Sequence, residues 1–145
     1  MQIPLKKLHP MAVLPVYASS SAAGADLCAL VEENAIVIAP GETKLVRTGI
    51  AVAIPEGYTG LICARSGLSV KEGLAPANKV GVIDADYRGE LMVALHNHSQ
   101  ASRTVTNGQR IAQLLIVPVL QGAFMEADEL PSTVRGEGGF GSTGK

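Results

Sequence analysis

Apolar residues come in short runs along the chain, alternating with polar positions or continuous over a few residues. These runs are Ala35 to Ile38, Lys44 to Val46, Ile50 to Ile54, Thr59 to Ala64, Leu91 to Leu95, Thr104 to Thr106 and Ile111 to Val117. Segments of that length are strand-sized. Between them fall Pro40-Gly41, Pro55-Glu56-Gly57 and Asn107-Gly108. Proline fixes φ while glycine and asparagine accept left-handed φ, so each cluster bends the chain. The pattern predicts an all-β sandwich or barrel. Only Ser66 to Glu72 is expected to make a helical turn or two, with Ser66 as its N-cap. From Gly136 onward the last ten residues hold five glycines. Such a stretch is too flexible to pack as a strand, so it is expected to be disordered or to be ordered by a ligand.

Composition sharpens this picture. A length of 145 residues with 47% hydrophobic content suits one domain with one core. Aromatics are 3% and Trp is absent, so Val, Ile, Leu and Ala must fill that core. Twelve basic residues stand against thirteen acidic ones without a basic stripe, which argues against a nucleic-acid partner. Cys28 and Cys63 lie in apolar runs and indicate no disulfide scaffold. The longest apolar stretch, Ile111 to Leu120, contains Gln113 and Pro118 and is far shorter than the ~20 residues of a membrane helix. Lys6 and Lys7 ahead of Met11 to Tyr17 imitate a secretory signal, but Pro15 interrupts the apolar part. The expectation is a cytoplasmic protein without processing.

Three segments carry candidate chemistry. Asn78 to Glu90 runs from strand-like residues into a turn bearing Asp84, Asp86 and Tyr87. Alone it reads as a hairpin with an acidic, solvated tip, and two carboxylates without further ligands specify little about a metal. Ala64 to Ser69 sets Arg65, Ser66 and Gly67 at a strand end; this suits an anion-binding nest, and equally a helix N-cap with a surface arginine. Gly139 to Lys145 has the spacing of a phosphate-binding loop but lacks a strand before it and a helix after it. His96 and His98, on one predicted strand face, have no third ligand and are read as surface or subunit-contact residues. Glu126, Asp128 and Glu129 are read as a solvated loop.

Taken together, the segments resemble the trimeric dUTPase family. Five motifs occur in that family's order: Ala23 to Leu27, Ala64 to Ser69, Gly81 to Gly89, Gly108 to Leu114 and Arg135 to Gly144. They span nearly the whole chain, and the one departure is Ala25, where many relatives carry an aromatic. The resemblance implies a single-domain, jelly-roll-like β-sandwich or barrel with a β core at 1–134 and a flexible Gly-rich lid at 135–145. It implies hydrolysis of dUTP to dUMP and pyrophosphate, which limits uracil in DNA and supplies dUMP for thymidylate synthesis.

The family's site residues carry over position by position. Asp84 matches the base that activates water for attack on the α-phosphorus. Arg65, Ser66, Gly67 and Gln113 match phosphate contacts, while Asn78, Val82 and Ile83 match the uracil-reading segment. Tyr87 matches the residue under the deoxyribose that leaves no room for a 2′-hydroxyl, and Met92 matches a substrate-lining position, though its run alone reads as core. Arg135, Phe140, Ser142 and Thr143 match the lid, with Phe140 stacking on uracil and Arg135 meeting the terminal phosphate. The implied cofactor is Mg²⁺ held mainly by the three phosphates, with Asp26 reaching it only through water. The implied assembly is a homotrimer with sites shared between subunits.

Two other functions compete. A dCTP deaminase-like enzyme would need a glutamate on the following strand, and aligning its motif on Gly81 to Asp84 puts Ala94 there. A non-catalytic dUTPase-like module would be expected to lose the base, the tyrosine or the tail, but Asp84, Tyr87 and Phe140 are all present.

Overall fold

The computed structural model describes residues 1–140. Each of the seven apolar runs contains or overlaps a strand: β4 (Ile36–Ile38), β5 (Thr43–Arg47), β6 (Ile50–Val52), β7 (Tyr58–Cys63), β10 (Met92–Asn97), β11 (Arg103–Val105) and β12 (Arg110–Pro118). The others are β1 (Leu5–Lys7), β2 (Val16–Tyr17), β3 (Ala25–Cys28), β8 (Leu74–Pro76) and β9 (Val80–Ile83). Strands as short as β1, β2 and β8 show no readable period of their own; their partners hold them.

All pairings are antiparallel, and the largest sheet has the order β2-β3-β12-β7-β9. Facing it are β5-β10-β8 and the ribbons β1-β6 and β11-β4. The result is a jelly-roll-like β-sandwich. Leu27, Ile38, Leu91, Leu95, Val105 and Ile111 meet between the layers at 0% exposure. The aliphatic core expected from composition is therefore the observed one. None of the described helical residues forms a helix long and apolar enough to cross a membrane.

One polar residue sits in this core. Asn97 is fully buried on β10, where its Nδ2 donates to the carbonyls of Ile38 (2.9 Å) and Ala101 (2.8 Å). Its Oδ1 accepts from the Ser99 N–H (2.9 Å) and hydroxyl (2.7 Å). The bond to Ile38 is fully buried and the other three partly so, so truncation orphans a carbonyl that water cannot reach and loosens the Ser99–Ala101 turn. Asn97→Ala should cost about 2–4 kcal/mol in a denaturant titration, at 1–3 kcal/mol per unsatisfied group.

The helical segment Gly67–Glu72 matches the expected position, but it is wound with wide turns of the π type and Ser66 does not cap it. Ser66 is already helical (φ −54°, ψ −44°) and its hydroxyl makes no capping bond. The chain passes from β7 into the helix without the extended residue that a capping hydroxyl needs. Gly73 closes the segment at φ 72°, a left-handed value natural to glycine. The last described strand ends at Pro118, and beyond it Leu120, Phe124, Leu130, Val134 and Phe140 are exposed.

Candidate active site

The central row of the large sheet brings the first cluster together. Gln113 on β12 is paired with Asp26 on β3 on one side and with Cys63 on β7 on the other. Arg65 and Ser66 follow two and three residues beyond Cys63, so three separated segments converge. Asp26, Arg65, Ser66, Gly67 and Gln113 line one cavity of about 310 Å³ together with Gly24. A Cβ on Gly24 would stand 2.7 Å from the Gln113 Oε1 and 3.1 Å from the Gln113 Cβ, so a larger residue here would displace the Gln113 amide. Gln113 is oriented by donating its Nε2 to the Ala64 carbonyl at 2.9 Å.

Charge in this cluster is not balanced. The Asp26 carboxylate accepts from Arg65 Nε at 2.7 Å through one oxygen and from Arg110 Nη1 at 3.2 Å through the other. Two guanidinium groups against one carboxylate leave the cluster with a positive excess, Arg65 lining this cavity and Arg110 standing just behind it. Arg65 Nη1 also donates to the Arg110 carbonyl at 3.3 Å. Arg110 escaped the sequence reading; its only signal was its place inside Gly108 to Leu114. An adjoining space of about 500 Å³ shares Arg65 and Gly67 and adds Lys71 and Arg110. The side chains here, with the first N–H groups of the helical segment, suit an anion such as a phosphate.

The second cluster lies elsewhere. Val82 and Asp84 line a wider cavity of about 870 Å³ with Thr59, Asp86 and Arg88. Asp84 is exposed, and the preceding carbonyl of Ile83 accepts from the Thr59 hydroxyl at 2.7 Å. Asn78 sits in the turn before β9, its amide nitrogen lying 3.3 Å from where a Cβ on Gly81 would be. The Tyr87 hydroxyl donates to the Glu90 carbonyl at 3.0 Å, and the ring covers Gly89 so closely that any Cβ there would overlap it. Met92, 40% exposed, occupies the outward face of β10 and not the core that its apolar run alone suggests.

Within one chain the two clusters stay apart. Ile83 pairs with Gly60, which puts Asp84 beside Thr59, six residues along the chain from Arg65. At about 3.3 Å per residue the separation is roughly 20 Å. Arg135 and Phe140 are exposed and line neither cavity, and Ser142 and Thr143 lie outside the described residues.

A family model described as dUTPase matches residues 11–144. The chain belongs to the dUTPase family. It is 49% identical to the deoxyuridine 5′-triphosphate nucleotidohydrolase of Hydrogenobaculum sp., covering 99% of both chains, and 46% identical to that of Nautilia profundicola over the full length of each. A solved dUTPase of Staphylococcus bacteriophage 80alpha with dUPNHPP superposes with a TM-score of 0.91 at 31% identity, covering 99% of each chain. A variant dUTPase of the S. aureus phage phi11, described with a structural Mg(II) ion, gives 0.82 at 26% identity over 91% of this chain and 100% of that one.

Other residues singled out in the sequence fall outside these dUTPase clusters. His96 lies on β10, its Nδ1 2.9 Å from the Thr43 hydroxyl, whereas His98 is beyond the strand, so the expected shared strand face does not form. Glu126, Asp128 and Glu129 are exposed in the strand-free segment. Groups of three or more His, Cys, Asp or Glu that could hold a metal are absent among the described residues. Both cysteines are free, and burial raises the thiol pKa of Cys28 above its usual range.

Proposed function

We propose that this dUTPase hydrolyses dUTP to dUMP and pyrophosphate with Asp84 as the base that takes the proton of a water attacking the α-phosphorus. The observation that carries the reading is the convergence of Arg65, Ser66, Gly67 and Gln113 on one positively biased cavity. These groups would hold the phosphate chain and steady the charge that grows on it. Ser66 supplies a hydroxyl not engaged as a cap.

The base would be read at the outer edge of β9. This strand pairs only with β7 and ends the large sheet, so one row of its main-chain groups has no sheet partner among the described residues. Those groups, with Asn78, Val82 and Ile83, would meet the uracil edge, while Tyr87 and Met92 would line the sugar side. Residues 135–145 would close over the bound nucleotide through Arg135, Phe140, Ser142 and Thr143.

Asp26 is the carboxylate that lines the phosphate cavity, and it already carries two arginine pairs. A lone, occupied carboxylate fits a Mg²⁺ carried by the substrate phosphates and met through water, not a protein cage. When bound, the ion would neutralise phosphate charge.

A separation of roughly 20 Å between Asp84 and Arg65 far exceeds the reach of a triphosphate from its α-phosphorus, given the strand rise per residue. This supports a homotrimer in which one subunit supplies Asp84, a neighbour the Arg65 cluster and the third the tail. The deaminase alternative has no such support, since Ala94 on β10 offers a methyl group and no proton acceptor. The test is pyrophosphate release from dUTP, dCTP, dTTP and UTP with and without Mg²⁺. Release from dUTP far faster than from the other three and dependent on Mg²⁺ is expected; ammonia from dCTP, or release from none, would overturn the reading.

A further inference from the structure

The loop that carries Asp84 and Tyr87 is fastened at its far end to the turn between β5 and β6. Glu90 Oε1 accepts the Gly49 N–H at 2.7 Å, and both carboxylate oxygens accept from Arg47 Nε at 3.1 and 3.2 Å. The next residue is tied to the same turn, with the Leu91 N–H donating to the Ile50 carbonyl at 2.8 Å and the Thr48 hydroxyl to the Leu91 carbonyl at 2.5 Å. The Glu90 side chain is only 15% exposed, so its charge needs these donors. Arg47 is itself steadied by Glu32 at 2.6 Å, and its hydrogen bond and charge pairing with Glu90 raise its pKa. Glu90 is also the residue whose carbonyl receives the Tyr87 hydroxyl.

We propose that Glu90 and Arg47 are positioning residues for sugar selection. Their clamp fixes the carbonyl that holds the Tyr87 hydroxyl, and so fixes the ring as a wall against a 2′-hydroxyl. This rests on the reading of Tyr87 given above. Neither Glu90 nor Arg47 touches substrate in it; both act through the tyrosine. Without the clamp the ring can yield, and a ribonucleotide fits.

The test compares kcat/KM for dUTP and UTP in Glu90→Ala, Glu90→Gln, Arg47→Gln, Tyr87→Phe, Tyr87→Ala and the Tyr87→Phe/Glu90→Ala pair. Glu90→Ala and Arg47→Gln should lower the preference for dUTP about tenfold, the scale of one steric contact in a pocket. The change should lie mainly in the KM values. Glu90→Gln, which keeps an acceptor for Gly49, should retain most of the preference, and Glu90→Ala should add little once the tyrosine hydroxyl is gone. Equal losses on both nucleotides, with the ratio unchanged, would show that the clamp merely supports the fold and would overturn the proposal. Arg47 is on the surface, so its variant keeps the test decisive if Glu90→Ala fails to fold. If Tyr87→Ala also leaves the ratio unchanged, the placement of the sugar is wrong and the proposal falls with it; a changed ratio there with unchanged Glu90 and Arg47 variants removes the clamp alone.

Discussion

Asp84→Asn should lower the turnover of dUTP by roughly 10²-fold or more, the contribution expected of a general base. The amide keeps the shape of the side chain and cannot take the water's proton. Asp84 is exposed on a cavity wall, so the fold should be untouched and the thermal midpoint should stay close to that of the parent. Nucleotide binding should also survive, because the phosphate cluster lies elsewhere. The separation between Asp84 and Arg65 sharpens the test. Mixing Asp84→Asn with Arg65→Ala protein and allowing subunits to exchange should recover part of the activity, since some sites then draw an intact Asp84 and an intact Arg65 from different chains. Near-parental turnover by Asp84→Asn would remove the assignment, and a fully active monomer in light scattering would remove the shared site.

Deleting the chain after Val134 should leave the β core and its thermal midpoint nearly unchanged while lowering kcat/KM on the order of 10²-fold, the cost of a poorly aligned reacting centre. The hydrogen bonds of the segment from Arg135 to Gly138 are local: Arg135 Nε donates to the Gly138 carbonyl at 2.7 Å and the Gly136 N–H to Thr133 at 3.1 Å. None of the described strands is removed. Activity should nevertheless fall, because without Phe140 and Arg135 water remains free to screen the phosphates. The five glycines of the last ten residues oppose closure entropically, so the base and triphosphate must together supply the contacts that close it. Phe140→Trp should report dUTP binding by a fluorescence change. Equal rates for the truncated and full-length proteins would refute the lid.

Much of the fold was legible in the sequence because strand patterning is local. Each of the seven apolar runs produced a strand at its expected place, and the turn clusters separated them. The same locality limits what can be read. Ser66 is the residue type of a cap, but whether it caps depends on how β7 enters the helix, which no residue type states.

The site divides the same way. Its residue types and their order along the chain were written in the sequence, and with them the family. Which residues meet was decided by strand register, as with the Asp26 pairs to Arg65 and Arg110 and the clamp from Glu90 to Arg47 and Gly49. On β10 the inward positions are Val93, Leu95 and Asn97, and the outward ones Met92, Ala94 and His96. Read by residue type, Met92 and Asn97 would exchange places. The pleat offers only two faces, and pairing with β5 and β8 fixes which residues take each. An amide is therefore carried into the core, where the Ile38 carbonyl, distant in the chain, and the nearby Ala101 carbonyl satisfy it, and a methionine is carried out; that outcome depends on contacts between strands and not on the residues of any one of them.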